Sequence, residues 1–349
     1  MVPVKAPLFT AILVGLVLSA CGGGTPQAVP ANAASPAGSA AGGNVVKFGA
    51  NNTSLDSTLY FLMQSAGIYA RHGLTVQLVP AAGAASLDSL IAGETDGIAI
   101  GGPQTVLLAI QNGAPLQLVA APSHLYNIEI VTPNSITSLA QLKGKRAGAQ
   151  SQTAINAQGM RRALDDAGLQ AGRDYEFVVT GASGSAGGVL AALVANQIEA
   201  APLDDFNARK AAQQGNFHVL LDLASPEAHI DAAFSVVTFR KAFIQQHPDL
   251  VQKMIDSIVD GVRYMREHKP ETIAALKSRA GLDDPALLEA TYDRQLHLLA
   301  KAPSISKDFL ADAVRYVPKG APPLTDELVA GALEPRFVDD AVRRGLANY

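Results

Sequence analysis

Few side chains in this chain of 349 residues have the type and spacing that reaction chemistry needs. A single cysteine, Cys21, excludes an internal disulfide, a CxxC redox pair and a thiolate-rich zinc site. The histidines, His72, His124, His218, His229, His247, His268 and His297, have no HxxxH spacing, so no metal is expected. What remains is binding chemistry. Asp204 and Asp205 follow an apolar run; one suits the N-cap of the next helix, and the other, if it faces a cleft, suits an amino group. Hydroxyls and amides gather in loops: Asn51, Asn52, Thr53 and Ser54, then Gln152 and Thr153, then Ser185.

Composition narrows the class. Lys and Arg total 27 against 31 Asp and Glu, a net charge of −4, which argues against a partner held by a basic surface such as nucleic acid. A hydrophobic fraction of 48% excludes a disordered chain, and the length allows about two domains.

The first residues read as an address. Lys5 supplies a positive start, and residues 8–18 are an apolar run of eleven, too short for the roughly 20 residues of a spanning helix. Leu18-Ser19-Ala20-Cys21 resembles the lipobox of bacterial lipoproteins, in which the chain is cut before the Cys and the thiol carries a diacylglycerol. Residues 1–20 are then a signal peptide. Residues 21–44, rich in Gly, Ala, Ser and Pro and without charge, form a flexible tether.

From residue 45 strands and helices alternate. Strands are expected over 45–50, 74–80, 98–100 and 116–121, then over 128–132, 145–149, 175–180, 198–203, 218–223 and 233–239. Helices are expected over 55–66, 86–92, 103–111, 154–167, 186–196 and 206–214. Leu250, Met254, Ile258, Val262 and Met265 make one apolar helical stripe, and further helices are expected over 271–280, 285–301, 306–316 and 325–345. This is an α/β pattern of parallel sheets with helices on both faces, and such sheets bind ligands beyond the carboxyl ends of their strands. Those ends hold Asn51–Ser54, Gly102, Gln104, Tyr126, Gln152, Thr153, Ser185, Asp204 and Asp205. Ser151, Thr153 and Ser185 also read as plain N-caps, and Asp56 as the cap of the first helix. Tyr126 and Phe206 are the expected stacking walls, while Tyr60 and Phe61 fit the core better. No Arg falls at these strand ends, which disfavours a doubly charged anion.

Three phrases carry a family resemblance: AGIYARHGLTVQLVPAAGAASLDSLIAGETDGIAIGGPQTVLLAIQNG, SITSLAQLKGKRAGAQSQTA and RKAFIQQHPDLVQKMIDSIVDGVRYMREHKPE. In this order they resemble the periplasmic solute-binding proteins of ABC importers, in the nitrate, sulfonate and taurine branch that also holds binders of thiamine-pyrimidine precursors. The resemblance spans about residues 45–349. It implies a type II periplasmic-binding-protein fold, with two doubly wound lobes joined by two crossover strands and a helical C-terminal extension. Lobe 1 would be residues 45–126 plus 235–349, and lobe 2 residues 127–234. It implies a monomer without cofactor or enzymatic activity, lipid-anchored in the bacterial envelope, passing a small solute to permease and ATPase subunits. In that family the loop at Asn51–Ser54 touches the ligand. The Trp-Glu-Pro-like phrase that many relatives carry after the strand before Asp204 is absent, which favours an amine-bearing, zwitterionic or neutral solute over nitrate. Two alternatives stay open: a thiamine-pyrimidine binder or synthase-like enzyme, whose Cys-rich motif is missing here, and a ligand sensor for a membrane receptor. For the anchor, Cys21→Ser is expected to move the protein from the membrane fraction to the soluble one; a variant that stays with membranes refutes the lipobox reading.

Overall fold

Among the described residues, runs of apolar and β-branched side chains form ten strands: β1 (Val45–Ala50), β2 (Thr75–Pro80), β3 (Gly97–Gly101), β4 (Leu116–Ser123), β5 (Glu129–Pro133), β6 (Arg146–Ala149), β7 (Glu176–Val179), β8 (Ala201–Leu203), β9 (Phe217–Asp222) and β10 (Ser235–Arg240). The computed structural model describes residues 43–51, 55–81, 84–180, 186–228, 230–281, 283–317 and 320–349. Cys21 and the tether to residue 42 lie outside the described residues, as do Asn52, Thr53, Ser54 and Ser185.

The first sheet has the order β2-β1-β3-β10-β4, with β1, β2 and β3 parallel and β10 antiparallel to both β3 and β4. The second group pairs β5 antiparallel to β8 and β9, and β6 parallel to β7. A parallel bridge between Ala147 and Ala200, with the Gly148 N–H donating to the Ala200 carbonyl at 3.0 Å, sets β6 beside β8. The resulting order, β7-β6-β8-β5-β9, repeats the first sheet. Both sheets are therefore mixed, not all-parallel as the alternating pattern predicts. In each, the fourth strand runs antiparallel to its neighbours: β10, reached after the chain has passed through the second sheet, in the first, and β5, the strand by which the chain enters, in the second.

The chain passes between the sheets twice, from β4 to β5 and from β9 back to β10, and the two crossing segments touch. The Ala232 N–H donates to the His124 carbonyl at 2.8 Å, and the Phe234 N–H to that of Ser123 at 3.1 Å. The Tyr126 ring meets Phe234 edge-on, with centroids 6.5 Å apart.

Each face of the first sheet carries a core. Phe48, Val237 and Phe239 pack under the helices Thr58–Ser65, Pro248–Glu267 and Arg336–Arg343. Ile98, Leu118 and Val236 pack under Pro103–Gln111 and Asp326–Ala332. The stripe Leu250, Met254, Ile258, Val262 and Met265 is fully buried, each side chain contributing about 1.5–3 kcal/mol by leaving water. The single helix expected over 325–345 is broken. Pro335 has no N–H to donate and disfavours helical geometry at Glu334. Leu333 bridges to Leu118 instead, and the Glu334 N–H donates to the Leu118 carbonyl at 2.9 Å.

One glycine fixes a close approach. A Cβ on Gly97 would lie 2.5 Å from the Phe239 ring, which is fully buried between Phe48 and Phe243 and has nowhere to retreat. Gly97→Ala is expected to cost about 1–3 kcal/mol in urea unfolding; wild-type stability would show that the aromatic stack is loose.

Candidate functional site

Charged residues collect where the second sheet meets the crossing segments. The β5 register sets Glu129 opposite both Leu203 of β8 and Asp222 of β9, so one sheet end carries Glu129 and Asp222, with Asp204 and Asp205 just beyond it. Asp204 is the N-cap of the helix Asp205–Gln213: its Oδ1 accepts from the Asn207 backbone N–H at 2.8 Å, and its carboxylate also accepts from Asn207 Nδ2 at 3.0 Å. This settles which of the paired aspartates is structural.

Asp205 is the other kind. It is 1% exposed, and its Oδ2 has no hydrogen-bond partner. Burial pushes its pKa up to about 7, with Asp204, Asp56 and Glu129 adding repulsion and Arg209, one helical turn on, opposing it. Burial likewise raises Glu129, against the pull of Arg294.

A relay of hydrogen bonds ties the two halves together beside this cluster. Arg294, on the helix Pro285–Leu298, donates to both oxygens of Asp222 at 2.5 and 2.7 Å, and from Nε to Asn127 Oδ1 at 3.3 Å. Asn127 Nδ2 in turn donates to Asp56 Oδ1 at 2.8 Å, on the short helix that follows β1. Nearby, the Arg279 guanidinium sits 4.0 Å over the Phe61 ring and donates to the Asn51 carbonyl at 3.2 Å.

The remaining predicted residues fall elsewhere or serve the fold. Tyr126 is not a stacking wall: its ring is in the core, and its hydroxyl donates to Asp312 at 3.1 Å, which also holds Arg162 at 2.8 Å. Gln104 is buried and donates to the Ala313 carbonyl at 2.8 Å. Gly102, at φ 85, donates its N–H to Phe234 and lies against Ile155 of the second half. Gln152 accepts from Arg161 through its carbonyl and side chain and is half-buried or less, as is Thr153. Neither Ser151 nor Thr153 caps the next helix. Ala154 is its N-cap, with no side-chain bond, so the first N–H groups of Ile155–Asp166 have no side-chain cap. Phe206 carries Lys210 over its ring at 4.2 Å. Asp56 bonds Asn127 and does not cap the first helix, whose N-cap Ser57 makes no side-chain bond.

Asn127, Glu129, Arg209, Asp222, Arg279 and Arg294 were not foreseen. No Arg falls at the strand ends that hold the expected site, and Arg209, Arg279 and Arg294 reach this region from helices instead. Only Glu129 left a signal in the sequence, as a carboxylate inside an otherwise apolar strand.

Among solved structures, the periplasmic nitrate-binding protein NrtA from Synechocystis PCC 6803 matches with a TM-score of 0.69 at 17% identity, over 87% of this chain and 89% of that one. The alkanesulfonate-binding protein SsuA from Xanthomonas axonopodis pv. citri, bound to MOPS, gives 0.66 at 20% identity, over 85% and 100%. The desulfurization enzyme DSZB gives 0.62 at 17% identity, over 86% and 99%. The fold is thus that of periplasmic binding proteins, two α/β lobes joined by two crossings. A family model described as NMT1/THI5 like matches residues 54–272, and the chain belongs to that family. No curated protein sequence matches it.

Asp205 gives stability a sign. Its folded pKa lies above the unfolded value near 4, so its favourable contribution is complete below that value and is lost as pH rises through about 7. Asp205→Asn is therefore expected to be more stable than wild type at pH 8 by on the order of 3 kcal/mol, and equal to it at pH 4. Urea unfolding of both proteins at the two pH values checks this, and an equal difference at both would refute it.

Proposed function

We propose that this chain is the extracytoplasmic solute-binding component of an ABC importer, held to a membrane through a lipid on Cys21. Its solute is a small polar organic molecule, sulfonate-like, amine-bearing or aromatic. The solute sits between lobe 1 (residues 45–126 plus 235–349) and lobe 2 (residues 127–234). The observation that carries this reading is the meeting of polar groups from both halves beside the crossings: Asp56 from the first, and Glu129 and Asp205 from the second. Asn52, Thr53, Ser54, Gln152, Thr153 and Ser185 complete the proposed rim. The family, and solved neighbours named as binding proteins for alkanesulfonate and nitrate, support it.

A solute touching both lobes stabilises the closed form by contacts that the open form lacks, and the closed form is the one that docks the permease. The work of transport comes from the ATPase partner. A second reading, an enzyme on the same fold, is favoured by the likeness to DSZB alone.

A thermal-shift panel of alkanesulfonates, nitrate, aminopyrimidines and aromatic acids tests the reading. A true solute at one hundred times its Kd adds about 2.7 kcal/mol and raises the midpoint. If no member raises it, and native mass spectrometry of the purified protein finds no bound small molecule, the solute-binding reading falls.

A further inference from the structure

Asp205 is an expensive residue to keep. A buried carboxylate oxygen without a hydrogen bond costs free energy unless a cation or a proton sits against it. The protein's own cations do not meet that need. Arg209 acts on Asp205 through space, but no hydrogen bond from it reaches Oδ2. Arg294 also faces Asp205 and Glu129, but its guanidinium is held by both oxygens of Asp222. Against these two cations stand Asp56, Glu129, Asp204, Asp205 and Asp222, so the cluster is strongly negative. The carboxylates come from separate elements: Asp56 from the turn after β1, Glu129 from β5, Asp204 and Asp205 from the end of β8, and Asp222 from the end of β9.

We propose that Asp205, with Asp56 and Glu129, forms a subsite for a primary ammonium group of the solute, so that the molecule this protein carries is amine-bearing. The inference rests on the solute-binding reading above and narrows its substrate class. An ammonium has three donors and no acceptor, which matches carboxylates approaching from different sides. Asp56 belongs to the first half, and Glu129 and Asp205 to the second. An ammonium held among them therefore touches both halves at once, which favours closure. Acid weakens this contact, because Asp205 takes up a proton near neutrality in the field of Asp204, Asp56, Glu129, Arg209 and Arg294.

The test uses pairs of probes that differ by one amine: ethanesulfonate and 2-aminoethanesulfonate, propanol and 3-aminopropanol, benzyl alcohol and benzylamine. Calorimetry and thermal shift at pH 8 and pH 5 are run on wild type, Asp205→Asn and Asp56→Asn, with circular dichroism to confirm folding. In at least one pair the amine is expected to bind wild type at pH 8 tenfold or more tightly than its partner. That preference should shrink at pH 5 and be lost in Asp205→Asn. Wild type showing no amine preference in any pair overturns the subsite, as does an undiminished preference in Asp205→Asn. Binding of the amine-free members alone would overturn the subsite while leaving the solute-binding reading intact.

Discussion

The arrangement depends on two chain segments that run side by side between the sheets. Neither crossing is a free linker: backbone bonds from Ala232 and Phe234 to His124 and Ser123 zip them together, and Tyr126 closes against Phe234. Any movement of one sheet relative to the other must turn about this zipped pair. Residues immediately beside it travel least, and those at the far strand ends travel most. The relay from Asp56 through Asn127 and Arg294 to Asp222 lies beside the pair. Gly102 and Ile155 make a second approach between the halves, and the left-handed φ of 85 at Gly102 is a conformation that favours glycine.

Two kinds of charge share this region. Arg294 donates to Asp222, and Asn207 donates to Asp204, and these pairs hold geometry. Asp205 has a buried oxygen that nothing bonds, and it weakens the folded state at neutral pH. Neighbouring residues thus act oppositely on the fold: Asp204 caps a helix, and Asp205 costs stability.

The strand and helix pattern was legible because each element buries one face, and burial leaves a period in the sequence. The stripe from Leu250 to Met265 is the clearest case. The orientation of β5 and β10 was hidden, since an apolar run reads the same in a parallel or an antiparallel neighbour. Asp204 and Asp205 could be read as lying at a strand end with one of them capping the next helix, because an N-cap must sit there. Tyr126 was misjudged because an aromatic at a strand end can turn inward as readily as outward, and Asp312, 186 residues away, decides the matter. Arg279 and Arg294 left no local mark: their reach depends on how the last helices pack, which local periodicity does not encode.

The returning strand β10 also sets an order of assembly. In the first sheet β4 pairs with β10 alone, yet roughly 110 residues separate the end of β4 from the start of β10. At roughly 5–20 residues per second, a growing chain would hold β4 without its partner for about 5–20 s. The first sheet is complete only when the chain has run through the second, from β5 to β9, and come back. The first sheet, whose strands β1 to β4 are made earliest, is thus the last to close.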